Sequence, residues 1–548
     1  MQKGAVCVIL ILQIKNKKEV RETVRVDIFC PVGYRTEDIY AGILDRLPIG
    51  REEIFSIRIL KEKRIFTEGK YGQRLTVAFS SSEERERGLL KMRKTVFPYT
   101  PFVYAPPARH TDFRPVVVGA GPAGLFCALA LAEAGTRPIL LERGECVEKR
   151  KRSVDRFFAG AAPDPESNIQ YGEGGAGAFS DGKLKFGQDD PYRTKVLDEF
   201  VLAGAPEEIR YVEYPHLGTD RLPGIVRRLR EKILALGGEV VFGAKADRIL
   251  LRDGELVGIG YHTATEEGEI STRAAFFATG HSARDTVCLL RDAGVPLCAR
   301  PFGIGLRVEH PRDYIDRLFL GENAPAALGA ASYHLVTHLP NGRSVYSFCM
   351  CPGGSVVAAT SRAGCVVTNG MSTFARDGEN SNSALLVSVT PADFGTEDPL
   401  GGFALQERIE RAAFRIGGGT YAAPACRMED FVFRRKAGAW GEVRPTYARG
   451  TVPALPEEYL PPVLAESLRE ALSSFDAWRP GFYLGDACLT GPETRSTSPV
   501  RLLRDAGYEA CGVRGIYPVG EGAGYSGGIA SSAMDGLRAA KAFLLKCR

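Results

Sequence analysis

The sequence predicts an α/β protein in which a Rossmann-like nucleotide-binding domain carries an inserted α+β domain and follows a small N-terminal α+β module. Three observations support this prediction. A short apolar strand runs directly into GAGPAG at Gly119–Gly124. Two later apolar strands also end in small residues, at Ala278 and at Gly520. Residues 1–108 show strands and helices of their own, before the first of these motifs.

The composition is that of an ordinary globular chain. Of the 548 residues, 44% are hydrophobic and 25% are charged, which excludes a disordered, collagen-like or coiled-coil protein. The net charge of +5 is too balanced for a dedicated nucleic-acid binder. Residues 1–110, however, hold 21 Lys and Arg against 13 Asp and Glu. This excess predicts a solvated basic surface on the N-terminal module and leaves open an anionic or protein partner there.

The cysteines and the N-terminal segment favour a cytoplasmic protein. Thirteen cysteines are scattered without a CxxC pair, a pattern that indicates reduced thiols. Ala5–Gln13 is apolar but too short to span a bilayer. Because no small-residue cleavage site follows it, a buried strand is favoured over a signal peptide. We therefore expect no membrane association.

The N-terminal module is predicted to be ferredoxin-like. Apolar spacing places strands at Val24–Phe29, Ile54–Leu60 and Gln73–Phe79, and helices at Thr36–Leu47 and Glu83–Arg93. The proline-rich segment that follows, 98–115, predicts a linker. The predicted domains are 1–108 for the module, 109–299 and 499–548 for the two parts of the nucleotide-binding domain, and 300–498 for the inserted substrate domain.

Residues 115–142 predict a complete βαβ nucleotide-binding unit. The strand Pro115–Val118 precedes the glycine turn, and the apolar helix Leu125–Ala134 follows it. The next strand, Arg137–Leu141, is apolar and is followed by an acidic residue, Glu142. In this context a chance glycine-rich turn is the weaker interpretation.

The residues of this unit have separate physical roles. Gly119 permits the tight turn, Gly121 lets the backbone approach a pyrophosphate, and Gly124 lets the helix pack against the strand. The helix N-terminus offers N–H groups to the phosphates. Glu142 is expected to accept hydrogen bonds from both ribose hydroxyls, which would disfavour a 2′-phosphate. The neighbouring Ala123 and Arg143 complete the cofactor contacts predicted for this unit.

A second glycine-rich segment, Gly172–Leu184, repeats the GxGxxG spacing. The residues before it are too polar for a buried strand, and Ser180-Asp181-Gly182 interrupts any helix after it. We therefore predict a loop whose backbone lies close to a flat ligand, and not a second nucleotide turn. Its predicted cofactor contacts are Gly174, Gly175, Ala176 and Gly177.

Two strand ends far along the chain favour FAD over NAD. Ala278-Thr279-Gly280 and Gly520-Glu521 resemble the second and third FAD-contact motifs of the glutathione-reductase-like flavoproteins. The resemblance implies non-covalent FAD, and it implies that Glu521, where the usual residue is Asp, hydrogen-bonds the ribityl chain. A helix that begins near Gly528-Ile529 would stabilise negative charge on the reduced flavin ring. The cofactor contacts implied here are Thr279, Gly280, Gly520, Glu521, Gly528 and Ile529.

Four longer segments extend the resemblance to nearly the whole chain beyond residues 1–20. They are NIQYGEGGAGAFSDGKL (Asn168–Leu184), ATGHSARDT (Ala278–Thr286), NGMSTFARDGENSNSALLV (Asn369–Val387) and YPVGEGAGYSGGIASSAMDG (Tyr517–Gly536). In these segments the chain resembles a bacterial family of FAD-dependent dehydrogenases with an N-terminal ferredoxin-like extension. The resemblance implies an oxidoreductase fold and cofactor, but no particular substrate.

Polar residues of the predicted insertion are candidates for substrate binding. Asn369, Arg376, Asn380 and Asn382 lie in one segment of small residues, and Arg495 lies in a similar one. Such residues suit either a turn-rich surface loop or a pocket wall that holds a polar or anionic substrate.

No catalytic residue and no metal site is assigned. Cys349 and Cys351 share one side of a predicted strand, where packing is favoured over redox work. His281 follows a strand end and either approaches the cofactor or caps the turn. The other histidines lack metal-ligand spacing.

Three functions are compatible with these features. The first is hydride transfer between FAD and a small organic substrate. The second is a flavoprotein that modifies or binds tRNA, which is weaker because the basic module lacks an RNP-like motif. The third is a non-catalytic flavin redox sensor. Because the chain has one complete βαβ unit, NAD(P)H, if used, is expected to bind transiently near the flavin.

Overall fold

The computed structural model describes residues 23–67, 70–186, 190–436 and 438–547. They form two compact units. The first contains the described residues up to Tyr104 together with Pro206–Pro215 and Leu320–Gly329, and the second contains the remainder. The strand predicted at Ala5–Gln13 lies outside the described residues. None of the helices in the described ranges is long and apolar enough to traverse a bilayer.

The first unit is a four-stranded antiparallel sheet with two helices. Its strands have the order β2-β3-β1-β4, and every second residue of β1 is buried, because one face of an antiparallel sheet packs on the core. Its elements are β1 (Thr23–Pro31), α1 (Thr36–Arg46), β2 (Ser56–Thr67), β3 (Lys70–Ser80), α2 (Glu83–Leu89) and β4 (Val96–Tyr99).

Two boundaries predicted in this unit are wrong. The helix predicted over Glu83–Arg93 ends at Leu89, and β4 occupies residues just before and at the start of the predicted linker. β4 pairs with β1, with Pro98 opposite Val24. A proline is tolerated there because β4 is an edge strand. A four-residue strand is too short for its periodicity to be recognised in the sequence.

Segments far along the chain belong to the first unit. The predicted domains place residues 206–215 in the nucleotide-binding domain and 320–329 in the insertion, whereas both group with the N-terminal sheet. Within this unit the backbone nitrogen of Glu62 donates to the Tyr211 carbonyl at 2.7 Å, and the Tyr71 hydroxyl donates to the Leu320 carbonyl. The module is therefore not built from one continuous stretch of chain.

The second unit begins with the predicted βαβ segment. The apolar strands expected before Gly119, Glu142 and Ala278 are confirmed, and the structure adds a three-stranded antiparallel sheet, β8–β10, that sequence analysis did not assign. The elements are β5 (Val116–Val118), α3 (Pro122–Glu133), β6 (Ile139–Glu142), α4 (Val147–Phe158), α5 (Tyr192–Leu202), α6 (Leu222–Ala235), β7 (Glu239–Phe242), β8 (Lys245–Arg252), β9 (Glu255–His262), β10 (Glu267–Ser271), β11 (Ala275–Phe277), α7 (Arg284–Asp292) and β12 (Leu297–Ala299).

Residues 302–493 contain a seven-stranded sheet together with several helices and a separate pair of strands, β16 and β17. Its order is β14-β15-β18-β13-β21-β19-β20, and its neighbours are antiparallel except β19 and β20. The elements are β13 (Phe302–Pro311), α8 (Arg312–Leu320), β14 (Val336–His338), β15 (Ser344–Cys351), β16 (Gly354–Ala358), β17 (Thr368–Ser372), β18 (Asn380–Val389), α9 (Gly401–Ile416), β19 (Ala423–Arg427), α10 (Met428–Val432), β20 (Thr451–Pro453), α11 (Pro462–Trp478) and β21 (Cys488–Glu493).

The chain then returns to the nucleotide-binding sheet through β22 (Val500–Leu502), β23 (Ile516–Pro518) and α12 (Ile529–Lys546). This sheet has the order β23-β11-β5-β6-β7, and all its strands are parallel. Because β5, β11 and β23 are adjacent and parallel, the motifs that follow them, at Gly119, Ala278 and Gly520, meet at one edge. The fold is therefore the predicted α/β class, and its tertiary arrangement brings three distant motifs together.

Helices α3 and α12 pack closely at Gly536. A Cβ atom there would lie 2.1 Å from the Ala123 carbonyl oxygen. We expect Gly536→Ala to lower the free energy of unfolding by about 1–3 kcal/mol, because the α3 backbone would have to move. Gly224→Ala in α6 is the control, since its Cβ would meet nothing within 4 Å, and it should be neutral or stabilising. Denaturant unfolding of both variants checks this, and equal effects would contradict it.

Candidate active site

A cleft in the second unit collects most of the predicted cofactor residues. It lies where the glycine turn after β5, the loop 170–185, the ends of β11 and β23 and the start of α12 come together. The predicted cofactor residues in its lining are Gly119, Gly121, Ala123, Glu142, Arg143, Gly175, Ala176, Gly177, Thr279, Gly280, Glu521, Gly528 and Ile529. Of the predicted substrate residues, Asn369 and Arg495 line it.

The remaining predicted glycines shape the cleft from behind its lining. A Cβ on Gly124 would lie 1.8 Å from the Gly119 carbonyl oxygen, so α3 can approach the turn only with glycine there. The backbone nitrogen of Gly174, at a φ of 86°, donates to the Ala120 carbonyl at 2.8 Å. The nitrogen of Gly520 donates to the Asp535 carboxylate at 2.7 Å.

Backbone segments meet in the cleft at distances that exclude side chains. A Cβ on Gly175 would lie 3.1 Å from the Gly121 Cα, and one on Gly177 would lie 2.9 Å from Ile529. The loop predicted at 172–184 is confirmed as irregular apart from a short 3-10 turn over Ala176–Phe179. The backbone of this loop therefore lies on the nucleotide turn and on the start of α12.

Glu142 anchors three backbone segments. Its carboxylate accepts hydrogen bonds from the nitrogens of Ala120 at 2.7 Å, Gly144 at 2.9 Å and Gly172 at 3.0 Å. A carboxylate has about four acceptor positions, so little capacity remains for the two ribose hydroxyls that sequence analysis assigned to it. The main role of Glu142 in this structure is to join the nucleotide turn to the second glycine loop.

Arg150 on α4 binds the same loop from its other side. The side chain is fully buried, and burial lowers the pKa of its guanidinium to about 10, which leaves it charged at neutral pH. It donates to five backbone carbonyls, those of Asn168, Ile169, Gly172, Glu173 and Gly175, at 2.7–3.2 Å. Sequence analysis missed Arg150. The sequence feature that could have revealed this residue is an arginine on the buried face of a helix that is rich in basic residues.

Arg143 lines the cleft beyond Glu142. It hydrogen-bonds Asp285 through both terminal nitrogens, at 2.9 and 3.0 Å, and Glu166 at 2.5 Å. Burial opposes ionisation of Asp285, but Arg143 and Lys245 outweigh it and hold the pKa of this carboxyl well below its usual range. The Arg143 guanidinium also lies 4.3 Å from the centre of the Tyr171 ring. This network gives the cleft a rigid, charged wall.

Three predicted substrate residues lie outside the cleft lining. Arg376 pairs with Asp181, with Nη2 at 2.5 Å from the carboxylate. Asn380 donates to the Arg444 carbonyl at 2.9 Å, and Asn382 accepts from Arg307 at 2.6 Å. Asn380 and Asn382 lie on β18, an interior strand of the seven-stranded sheet, and Arg376 precedes that strand, so all three side chains satisfy partners within the protein.

The two predicted substrate residues that line the cleft, Arg495 and Asn369, differ in their surroundings. Arg495 is buried and pairs with Glu410 at 2.8 Å, and its other terminal nitrogen donates to Ser361 at 2.5 Å. Asn369 lies on β17 and is half-buried. Both come from the inserted sequence and reach the same cleft as the glycine motifs.

Sequence analysis also missed three titratable groups of the lining. Lys183, Lys185 and Glu493 line the cleft, and burial raises the pKa of Glu493 to about 7. Burial also raises the pKa of Glu521 to about 8, and it lowers the pKa of His281 to about 4. His281 is therefore neutral at physiological pH. The twelve cysteines in the described ranges are free thiols, and no group of three metal-ligating side chains occurs there.

The residues present fit a dinucleotide with a flat ring system. The turn at Gly121 and the N-terminus of α3 present backbone N–H groups suited to a diphosphate. The glycine loop at 175–177 leaves a surface free of side chains, and the N-terminus of α12 lies in the same lining. The site is of the class found in nucleotide-dependent redox proteins.

Comparison with known proteins identifies the family. Residues 114–150 match the family described as FAD binding domain, and residues 301–496 match the one described as FAD-dependent protein, C-terminal domain-like. An uncharacterized protein of Clostridium beijerinckii is 47% identical over 435 residues, which are 79% of this chain and 81% of that protein. The chain therefore belongs to the FAD-dependent oxidoreductase family, and FAD is its cofactor.

Other similarities are more distant. Digeranylgeranylglycerophospholipid reductase 2 of Methanopyrus kandleri is 29% identical over 208 residues, which are 36% of this chain and 46% of that protein. Among solved structures, E. coli quinol fumarate reductase FrdA is 13% identical, with 80% of this chain and 70% of that chain covered and a TM-score of 0.36.

Arg150 supplies a test of the loop that it holds. Arg150→Met would leave five backbone carbonyls without their donor, so we expect FAD binding to weaken by about tenfold or more. Arg150→Lys keeps the charge but offers fewer donors, so it should bind FAD more tightly than Arg150→Met and more weakly than the wild type. Arg152→Met, on the exposed side of α4, is the matched control. The ratio of flavin to protein absorbance after purification measures the effect, and full flavin content in Arg150→Met would contradict it.

Proposed function

We propose that the protein transfers a hydride between non-covalently bound FAD and a small organic substrate. The observation that carries this proposal is the shared cleft. Residues of the inserted sequence, Cys349, Asn369, Glu493 and Arg495, line the same space as the three strand-end motifs. A substrate held by these polar side chains would lie next to the cofactor, as hydride transfer requires.

The chain's own residues bind and orient the reactants. FAD, when bound, supplies the hydride chemistry. Gly121 and the N-terminus of α3 would hold its diphosphate, and the N-terminus of α12 would face negative charge on its ring. Glu521, whose pKa burial raises to about 8, is protonated at neutral pH and can donate a hydrogen bond within the cleft.

The substrate end of the cleft is suited to a polar or anionic compound. Lys183 and Lys185 bring positive charge to the lining, and Asn369 brings both a donor and an acceptor. We further propose a cytoplasmic location and an anionic or protein partner for the basic N-terminal module. Exposed Arg25 and Arg74 on its sheet support such a partner.

The first expectation is that the purified protein is yellow and releases FAD on denaturation. Gly121 faces the cleft, and a Cβ there would already lie 3.8 Å from the Gly175 Cα. Gly121→Val should therefore fill the phosphate position and abolish FAD retention. Gly224→Val, at an open position of α6, is the control and should retain FAD. Chromatography of the released nucleotide decides the result, and recovery of NAD alone would refute the proposal.

The second expectation concerns the reductant. The described residues contain one five-stranded parallel sheet, and its nucleotide turn is the one at Gly119. We therefore expect NAD(P)H, if used, to bind weakly and transiently in the cleft and to compete with the organic substrate. Calorimetric titration of the oxidised protein with NADH and NADPH measures this. A tight complex that forms without displacing the substrate would contradict it.

A further inference from the structure

Four adjacent strands of the seven-stranded sheet bring polar residues into a row beside the cleft. Cys349 lies on β15, Asn382 on β18, Arg307 on β13 and Glu493 on β21, and these strands are neighbours in that order. Cys349 and Glu493, the two ends of the row, line the cleft. Arg307 and Asn382 are fully buried between them.

Arg307 connects the members of this row. Its guanidinium donates to the Cys349 carbonyl at 2.9 Å and to the Asn382 side chain at 2.6 Å. It also forms an ion pair with Glu493, with the nearest atoms 3.0 Å apart. Because a buried arginine without these partners would be strongly destabilising, the positions of Cys349 and Glu493 are coupled through one side chain.

The backbone at Cys349 departs from a regular strand. The pairing of β15 with β18 shifts between Phe348 and Cys351, and Cys349 has a φ of 42°. A left-handed residue that is not glycine is uncommon and costly, and it occurs most often where function requires it. The bulge places Cys349 in the cleft lining, whereas Cys351 stays fully buried.

Charges around Cys349 favour its thiolate. A hydrogen bond from Cys351 lowers the pKa of Cys349, burial opposes this, and the positive charges of Lys183 and Arg307 lower it further against the opposing charge of Asp181, so that the pKa of this thiol lies below its ordinary value. The charged and titratable groups that face Cys349 are Asp181, Lys183, Lys185, Arg307, Cys351, Glu493 and Glu521. The Cys349 charge contributes in turn to the raised pKa values of Glu493 and Glu521.

From this arrangement we propose that Cys349 is a catalytic acid–base residue that exchanges a proton with the substrate in the cleft. This inference rests on the proposed function and assigns a residue to its proton step. It replaces the packing role that the sequence alone favoured for Cys349.

The step balances with the hydride transfer already proposed. In the direction of oxidation, the bond between the substrate and one hydrogen breaks, and that proton forms an S–H bond with the Cys349 thiolate. FAD, when bound, would accept the substrate's second hydrogen as a hydride, so that the substrate would lose two hydrogens and two electrons in all. The proton then passes from the thiol to solvent. Reduction of a substrate runs through the same transfers in reverse.

Alkylation of the full-length, FAD-loaded protein tests the thiolate. Iodoacetamide labelling is followed by mass spectrometry from pH 5 to pH 10, with exposed Cys298 measured in the same digest as reference. Because the thiolate is the reacting species, labelling at Cys349 should reach half its maximal rate at a lower pH than labelling at Cys298. Lys183→Met should move the Cys349 midpoint to higher pH, since one of the stabilising charges is removed.

The two proposals fail in distinguishable ways. A Cys349 midpoint that coincides with that of Cys298, or a Cys349 that is unlabelled in the folded protein and labelled after denaturation, overturns this inference while the flavin content stays normal. Absence of FAD from the purified protein overturns the proposed function, whatever the labelling shows.

Flavin reduction tests the proton transfer itself. Oxidisable organic compounds are screened anaerobically for bleaching of the flavin, and Cys349→Ser should slow bleaching by about 100-fold or more with any compound that works. Cys298→Ser, on β12 outside the cleft lining, should react at the wild-type rate. An unchanged rate in Cys349→Ser would overturn the proton-transfer role. If no compound bleaches the wild-type flavin, the proposed function fails and the labelling result alone decides the state of Cys349.

Discussion

Two buried side chains of opposite charge, Glu142 and Arg150, hold the backbone that forms the cofactor cleft. Glu142 accepts three backbone N–H groups, and Arg150 donates to five backbone carbonyls. Gly172 is held by both side chains, because its nitrogen donates to Glu142 and its carbonyl accepts from Arg150. A Cβ on Gly172 would lie 2.3 Å from Arg150. An irregular loop that packs on a nucleotide turn needs such partners, because its buried peptide groups have no ladder to satisfy them.

A buried arginine of the inserted sequence also binds several segments of backbone and side chain beside the cleft. Arg307, buried in the middle of an antiparallel sheet, binds a carbonyl, an amide and a carboxylate on neighbouring strands. Both arginines fix backbone geometry next to the cleft without lining it. The titratable groups that do line it, Lys183, Glu493 and Glu521, therefore project from a scaffold whose buried polar atoms are largely paired. Because these side chains are already in position, no free energy is needed to rearrange them when a reactant binds.

The cofactor end of the cleft could be predicted in detail, and the substrate end could not. Gly119, Gly121 and Thr279 follow apolar strands in a local pattern that has one physical interpretation, and all three line the cleft. Arg376 and Asn382 were equally conspicuous as polar residues in a segment of small ones, yet they pair with Asp181 and Arg307 inside the protein. A polar residue looks the same in the sequence whether it faces a ligand or a buried partner.

The sequence by itself determined the fold class, the dinucleotide site and the order of the strand-end motifs, because each depends on periodicity and glycine spacing within a few residues. FAD as the cofactor was implied by the resemblance of two of those motifs to known flavoprotein motifs. Tertiary structure alone decided which residues share the cleft. Glu493 and Cys349 are far apart in the chain and line the same cleft because the strand order of one sheet places β15 and β21 on either side of β18 and β13. The tertiary structure also decided how these groups ionise, because burial and the charges of neighbours from other strands set the pKa values of Cys349 and Glu493. Those neighbours are a property of packing, which no local pattern encodes.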